Sequence, residues 1–345
     1  MIFWWLIPAI CGLSFALTAG LRRYALARSM LDVPNDRSSH AVPTPRGGGV
    51  SIVVTFLSGL VAIWSAGLID SGFFLGAAGA GALVAVIGFM DDHGHIAARW
   101  RLLGHFAAAA WVLWWTGGLA PVEVFGMTLD PGWVSNVFAL FYLVWMLNLY
   151  NFMDGIDGLA SVEAISVCGS ACLLYWITGH EGFIWAPLLL AMSVLGFLVW
   201  NFPPAKIFMG DAGSGFLGII LGVLALQAAS LNPDLLWAWL ILPGVFIVDA
   251  TFTLLRRLLR GEKVYEAHRS HAYQYASRAY GRHLPVTIAV ALINVLWLLP
   301  VAIAVVVTGL DGATGLIIAY VPLLVLAVKF HAGEYEVKTV RGKDR

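Results

Sequence analysis

The chain has 345 residues, 60% of them hydrophobic and only 12% charged, with a mean hydropathy of +0.84. A soluble protein carries about 25% charged residues, so soluble classes are excluded and an integral membrane protein is expected. Lys and Arg number 20, as do Asp and Glu, a neutral balance that gives no case for nucleic-acid binding.

Read from its start, "MIFWWLIPAICGLSFALTAGL" lacks the basic opening of a secretory leader, and its apolar run is too long for one. It reads as a retained first span. About 20 apolar residues cross a bilayer as a helix. After a first span at 2–21, that measure places others at 48–66, 73–90, 102–118, 134–149, 159–177, 183–200, 214–230, 236–255, 285–308 and 314–329. The expected fold class is all-α: a polytopic membrane helical bundle of about 11 transmembrane helices. No internal repeat is visible, which weakens an inverted-repeat transporter reading. Cys11, Cys168 and Cys172 lie in apolar stretches with no CxxC pair, so neither a disulfide framework nor a zinc site is indicated.

Orientation follows from the basic residues. They fall in 22–46, 91–101, at Lys206, in 256–282 and from Lys329 onward. With the N-terminus outside, all 20 Lys and Arg lie on the cytoplasmic side. The expectation is N-out and C-in, with residues 1–330 as the membrane domain and 331–345 as a cytoplasmic tail. The acidic residues of the outer loops, Asp70 and Asp311 among them, then read as solvated.

Four cytoplasmic segments carry unusual polarity: "GFMDDHGH", "NLYNFMDGIDGL", "NFPPAKIFMGDAGSGFLG" and "YEAHRSHAYQ". They supply Asp91, Asp92, Asp154, Asp157 and Asp211 beside Asn148 and Asn151. Oxygen donors of this kind suit a hard divalent ion such as Mg2+, which takes one or two carboxylates and completes its shell with water and phosphate. The glycines of "MGDAGSG" and "MDGIDG" allow close backbone approach and aim helix N-termini at an anion. His40, His268 and His271, with Arg46, Arg101 and Arg269, are donors suited to phosphate. Each segment alone has a plainer reading. The Asp91–Asp92 pair could be a solvated helix end, Asp154 and Asp157 could be caps, and "HRSH" a loop feature. The basic loop could be a topology signal or a lipid contact. One shared site is more economical than four coincidences on one membrane face.

These motifs, in this order, resemble the polyprenyl-phosphate N-acetylhexosamine-1-phosphate transferases, glycosyltransferase family 4. The resemblance runs from "RSSHAVPTPRGGG" to "HRSHAYQ" and is carried most specifically by "NxxNxxDGxDGL" together with "MGDxGS". Its variants look like the O-antigen-initiating branch. The resemblance implies Asp91 and Asp92 as catalytic residues that handle the lipid phosphate, with Asp211 and Asn151 at a Mg2+ ion that Mn2+ can replace. It places Asp154 and Asp157 in the nucleotide-sugar pocket, Phe208 against uracil, and His268 and His271 at the diphosphate or sugar. Three departures stand out: His95 where a DDxxD form has a third aspartate, His40 where the peptidoglycan branch has lysine, and Arg101 near another such lysine.

The implied reaction moves N-acetylhexosamine-1-phosphate, or a 6-deoxy variant, from a UDP-sugar to undecaprenyl phosphate and releases UMP. Its setting would be the bacterial inner membrane, as the first step of O-antigen or a related envelope glycan; a homodimer is an allowed assembly. A transporter with a cytoplasmic polar site is the leading alternative, but it would want polar groups at mid-membrane, and these spans read as mostly clean. An intramembrane aspartyl protease would need GxGD and a partner YD, which are missing. A CDP-alcohol phosphotransferase would need a DGxxAR-type motif, also missing.

Overall fold

The computed structural model describes residues 4–34, 42–94, 96–130, 132–263 and 268–335. Fourteen α-helices account for most of these residues. The first eight are α1 (Leu6–Ala27), α2 (Gly49–Ser65), α3 (Ser71–Gly94), α4 (Ala98–Thr116), α5 (Trp133–Met153), α6 (Leu159–Ile177), α7 (Trp185–Asn201) and α8 (Asp211–Leu231). There follow α9 (Pro233–Ile241), α10 (Gly244–Leu259), the short amphipathic α11 (Ala272–Tyr280), α12 (Leu284–Ile293), α13 (Leu299–Thr308) and α14 (Gly312–Lys329).

All eleven expected spans fall on helices, but not all of these are both long and strongly apolar. Among the described residues eight are, by length and composition, or nine if α9 and α10 count as one bent span. Helix α2 has 17 residues, about 25 Å at 1.5 Å per residue, at the short end of the range that spans a bilayer. Helix α4 is 19 residues long, but Arg99, Arg101 and His105 dilute the apolarity of its first half. The expected span 236–255 is broken, its halves meeting at 67°. Pro243 sits at the break, where its ring and missing N–H prevent a continuous helix. The stretch 285–308 does run through, with α12 and α13 joined by a π-helical segment, Asn294–Leu298.

The spans are also less clean than expected. Glu163 on α6 is fully buried and accepts a hydrogen bond from Asn294 Nδ2 at 2.6 Å, joining α6 to the π-helical segment. Asp249 is buried on α10. Both helped hide themselves, since one acidic residue barely lowers the hydropathy of a long apolar run.

Helix α8 is the axis of the bundle, 83% of its span being buried, with α2, α3 and α5 packed around it. Small residues permit that closeness. A Cβ on Gly88 of α3 would lie 2.5 Å from the carbonyl carbon of Asp211, so α3 and α8 meet backbone to backbone where their acidic residues sit. Outward-facing Trp114, Phe138, Trp176 and Leu296 stay exposed, as expected of side chains bathed in lipid.

Two small antiparallel ribbons depart from a purely helical fold. The first pairs β1 (Leu31–Asp32) with β2 (Thr44–Pro45), bringing Asp32 toward Arg46. The second, β3 (Val122–Val124) with β4 (Met127–Leu129), lies at the opposite end. There Asp311 is more than a solvated loop residue. It caps α14 through the Thr314 N–H at 2.9 Å and accepts from the Phe125 N–H at 2.8 Å. Asp70 likewise accepts from the Phe73 N–H at the start of α3. Residues 331–335 of the expected tail are tied down. Arg256 donates to the Ala332 carbonyl, Arg260 to the Gly333 carbonyl, and Gly333 N–H to the Ser270 carbonyl.

Candidate active site

The site begins with two backbone segments lying side by side. Phe208 N–H donates to the Pro45 carbonyl at 2.8 Å, Gly48 N–H to that of Phe208 at 2.9 Å, and Gly49 N–H to that of Met209 at 2.8 Å. "PTPRGGG" is therefore a fixed strand-like partner of "IFMG", and it sets Arg46 beside the N-terminus of α8. Gly210 follows with φ +80°, a conformation suited to glycine, and a Cβ there would lie 2.7 Å from an Asp92 oxygen.

Asp92, in the last turn of α3, accepts from the first amides of α8: Asp211 N–H at 3.1 Å and Ala212 N–H at 3.3 Å. Arg46 Nη2 bridges Asp92 Oδ1 at 2.9 Å and Asp211 Oδ1 at 2.5 Å. Asp91 accepts from the Ile96 N–H at 2.7 Å and from Arg101, whose Nη1 also lies 3.5 Å from Asp211 Oδ2. Asp91 and Asp92 side chains are only 7% and 4% exposed, so each is committed to the protein's own donors. Burial works against the charge on Arg46. Asp211, Asp92, Asp32 and Asp154 outweigh it and hold the guanidinium pKa above its ordinary value.

A cavity of about 210 Å³ opens beside this cluster. Its wall includes Arg46, Asn151, Asp154, Asp157, Phe208 and Asp211. Arg46 and Asp32 also line a second cavity of about 330 Å³, which Asp92 and His93 border on the far side. A small recess beneath is lined by Asp91, Arg101, Asn151 and Asp211. Asn151 Nδ2 donates to Ser214 Oγ at 3.0 Å, which turns its carbonyl oxygen the other way. Burial pushes the Asp154 carboxyl well above the usual range; Arg46 opposes this, while Asp211, Asp92 and Asp157 reinforce it.

The oxygen donors here are of the kind a hard divalent ion takes. Asp211 and Asn151 bring oxygens to the cavity wall, those of Asp211 facing Arg46 and Arg101 in this structure, and buried Asp154 gains from any added positive charge. Among the described residues no three His, Cys, Asp or Glu side chains form a metal-holding group.

The histidine loop is placed differently from expectation. His268, Arg269 and His271 line none of these cavities. His271 is 3% exposed and its Nδ1 lies 3.3 Å from Asp249 Oδ1. It and Gln274 form a reciprocal cap on α11, while Asp249 accepts from the Ala272 and Tyr273 N–H groups. His271 thus seats α11 on α10. His268 stacks on it at 4.9 Å, and burial, with His271 and Arg257, pushes its pKa down to about 3. The Arg269 carbonyl accepts from Arg278. His40 and His95 lie outside the described residues.

Several lining residues had escaped the sequence reading. Asp32 and His283 carry no local motif. Asn201 holds the Gly158 N–H and the Ile207 carbonyl, fixing the loop that bears Asp157. Gln274 stood inside the quoted "HRSHAYQ", so the motif already pointed to it.

Comparison with known proteins identifies the family. The family model described as glycosyl transferase family 4 matches residues 74–229, which include Asp91, Asp92, Asn151 and Asp211. An undecaprenyl-phosphate alpha-N-acetylglucosaminyl 1-phosphate transferase of Thermotoga maritima is 32% identical over 270 residues, 78% of this chain and 80% of the relative. A probable undecaprenyl-phosphate N-acetylglucosaminyl 1-phosphate transferase of Bacillus subtilis is 29% identical over 265 residues, 74% of this chain and 72% of that one. A phospho-N-acetylmuramoyl-pentapeptide-transferase of Streptococcus pneumoniae is 29% identical over 251 residues, 68% and 74% of the two chains.

Proposed function

The chain belongs to glycosyl transferase family 4, and from that premise we propose that it transfers N-acetylhexosamine-1-phosphate from a UDP-sugar to undecaprenyl phosphate. A phosphate oxygen of the lipid attacks the sugar-side phosphorus of the diphosphate. One P–O bond forms there, the bond to the bridging oxygen breaks, and UMP leaves with that oxygen. The sugar favoured by the relatives' names is N-acetylglucosamine, and the product would begin an envelope glycan such as O-antigen.

The observation that carries this reading is Arg46, which lines two cavities at once. Two phosphate-bearing substrates entering from either side would meet at its guanidinium, a donor suited to the charge on a transferring phosphoryl group. The cavity with Phe208 and Asp157 suits the nucleotide sugar, and the one bordered by Asp92 suits the lipid phosphate. A lipid phosphate with a second pKa of about 6 is already largely ionised at neutral pH, so no strong base is needed. Asp91 and Asp92, both buried and bonded, act by positioning: they hold Arg101, Arg46 and the α8 N-terminus in place. Mg2+ held by Asp211 and Asn151 would supply charge neutralisation for the diphosphate and departing UMP. The positive-inside distribution supports a cytoplasmic site in the inner membrane, where the soluble nucleotide sugar and the lipid can meet.

The test is UMP release by the purified protein in detergent. Release that requires both undecaprenyl phosphate and a UDP-N-acetylhexosamine supports the reading. No release across a panel of UDP-sugars, with substrate movement in liposomes instead, would favour the transporter class.

A further inference from the structure

We propose that His93 is a catalytic residue that acts on the acceptor: its Nε2 takes the last proton of the lipid phosphate and holds it beside the oxygen that attacks. This rests on the reading of the cavity bordered by Asp92 as the lipid-phosphate side.

His93 stands in "GFMDDHGH", directly after Asp92, in the last turn of α3. It lines the cavity of about 330 Å³ together with Asp32, Arg46 and Asp92. Its ring is held by Phe89, one turn earlier on the same helix. Nδ1 lies 2.8 Å from the Phe89 carbonyl oxygen, and the two rings sit 4.2 Å apart. A carbonyl only accepts, so Nδ1 carries a hydrogen, and in the neutral ring Nε2 is left with its lone pair. The side chain is exposed, and among the described residues Nε2 has no hydrogen-bond partner.

The adjacent carboxylates are committed elsewhere. Asp92 accepts from the Asp211 and Ala212 N–H groups and pairs with Arg46. Asp91 accepts from the Ile96 N–H and from Arg101. Chemistry also favours an imidazole over a carboxylate here. An imidazole ordinarily titrates at about 6.5 and a phosphate monoester at about 6, against about 4 for an aspartate, so the proton passes most easily between the first two.

The phosphate enters as the monoanion. Its O–H bond breaks, Nε2–H forms, and the electron pair stays on the phosphate oxygen. That oxygen attacks the sugar-side phosphorus as UMP leaves. The imidazolium, on the same wall as Arg46, offsets the charge of the dianion while the new P–O bond forms. Once the product has left, the exposed ring returns the proton to water.

The experiment measures UMP release by the full chain in detergent, with undecaprenyl phosphate varied, from about pH 5.5 to about pH 9, a range that brackets both ordinary values. At mildly acidic pH, His93→Ala should lower kcat/KM for undecaprenyl phosphate roughly a hundredfold, the lower end of what a positioned acid–base group contributes. The KM for UDP-N-acetylglucosamine should not move. His93→Gln sets an amide near the Nε2 position but cannot take a proton, so it should lose about as much. Rising pH strips the shared proton from the wild-type pair, and the wild-type advantage should shrink towards the alkaline end. Asp32 of β1, Arg46 after β2, Arg101 of α4 and Asp211 of α8 surround this end of α3, which itself carries Asp91 and Asp92. All are common to wild type and variants, so the ratio of the two isolates His93. If the alanine variant fails to fold, the glutamine variant carries the test. A ratio that stays constant across pH, or wild-type kcat/KM in the variants, would overturn the proposal alone. A wild-type protein that releases no UMP at any pH would overturn the lipid-phosphate reading as well.

Discussion

Asp92 caps a helix that is not its own: from the end of α3 its carboxylate accepts from the Asp211 and Ala212 amides that open α8. Through Arg46, at 2.9 Å from Asp92 and 2.5 Å from Asp211, the same carboxylate also fixes the charge at the centre of the site. Helix, cap and arginine form one unit.

Asp92→Asn should therefore affect both stability and turnover. It keeps an oxygen for one amide but loses the charge that holds Arg46 and favours the helix N-terminus. A cap loss of this kind costs about 1–2 kcal/mol. The expected result is a lower melting temperature in detergent, a sharp fall in kcat, and UMP binding close to wild type. Intact kcat would show that the pairing is only structural.

A second expectation concerns pH. Burial raises the Asp154 pKa in the folded protein above its unfolded value. The stability linked to this group is thus full below the ordinary carboxylate range and lost as pH rises through the raised pKa. Asp154→Asn removes the ionisation. Ligand-free Asp154→Asn should melt higher than wild type at neutral pH, the gap closing as the buffer becomes acidic. Melting temperature against pH reads this directly, and equal curves would contradict it.

Much of this arrangement was legible in the sequence because charge is expensive beside lipid. The acidic motifs stood out against apolar runs, and Arg46, Asp91, Asp92, Asp154, Asp157 and Asp211 do converge. What was hidden depends on three-dimensional partners. His271 reads as a phosphate donor until Asp249, 22 residues earlier, is seen to hold it. His283 carries no local motif, and only the fold sets it against Asp157, 126 residues earlier. The break in 236–255 was visible as Pro243, but hydropathy averages over a single residue.

Topology offers a third check. Met127, in the ribbon between α4 and α5, and Lys263, after α10, lie on opposite sides in the N-out arrangement. In a background without native cysteines, Met127→Cys should react with an impermeant thiol reagent in intact cells. Lys263→Cys should react only after permeabilisation. The reverse pattern would move the site to the other face of the membrane.

Removal of divalent ions gives a fourth. Chelation should abolish turnover, and Mg2+ or Mn2+ should restore it. Asp211→Asn should lower kcat by roughly a hundredfold or more, the scale seen when a group that stabilises developing charge is lost. Full activity in chelator would remove the assignment of Asp211 and Asn151 to a metal.

The central claim is that a sugar leaves UDP together with one phosphate. Its most direct measurement uses UDP-N-acetylglucosamine radiolabelled in the phosphate next to the sugar, incubated with the purified protein, undecaprenyl phosphate and Mg2+. The account predicts that the label moves into the lipid fraction while unlabelled UMP accumulates. Label remaining in soluble UDP, with only the sugar appearing in lipid, would contradict it.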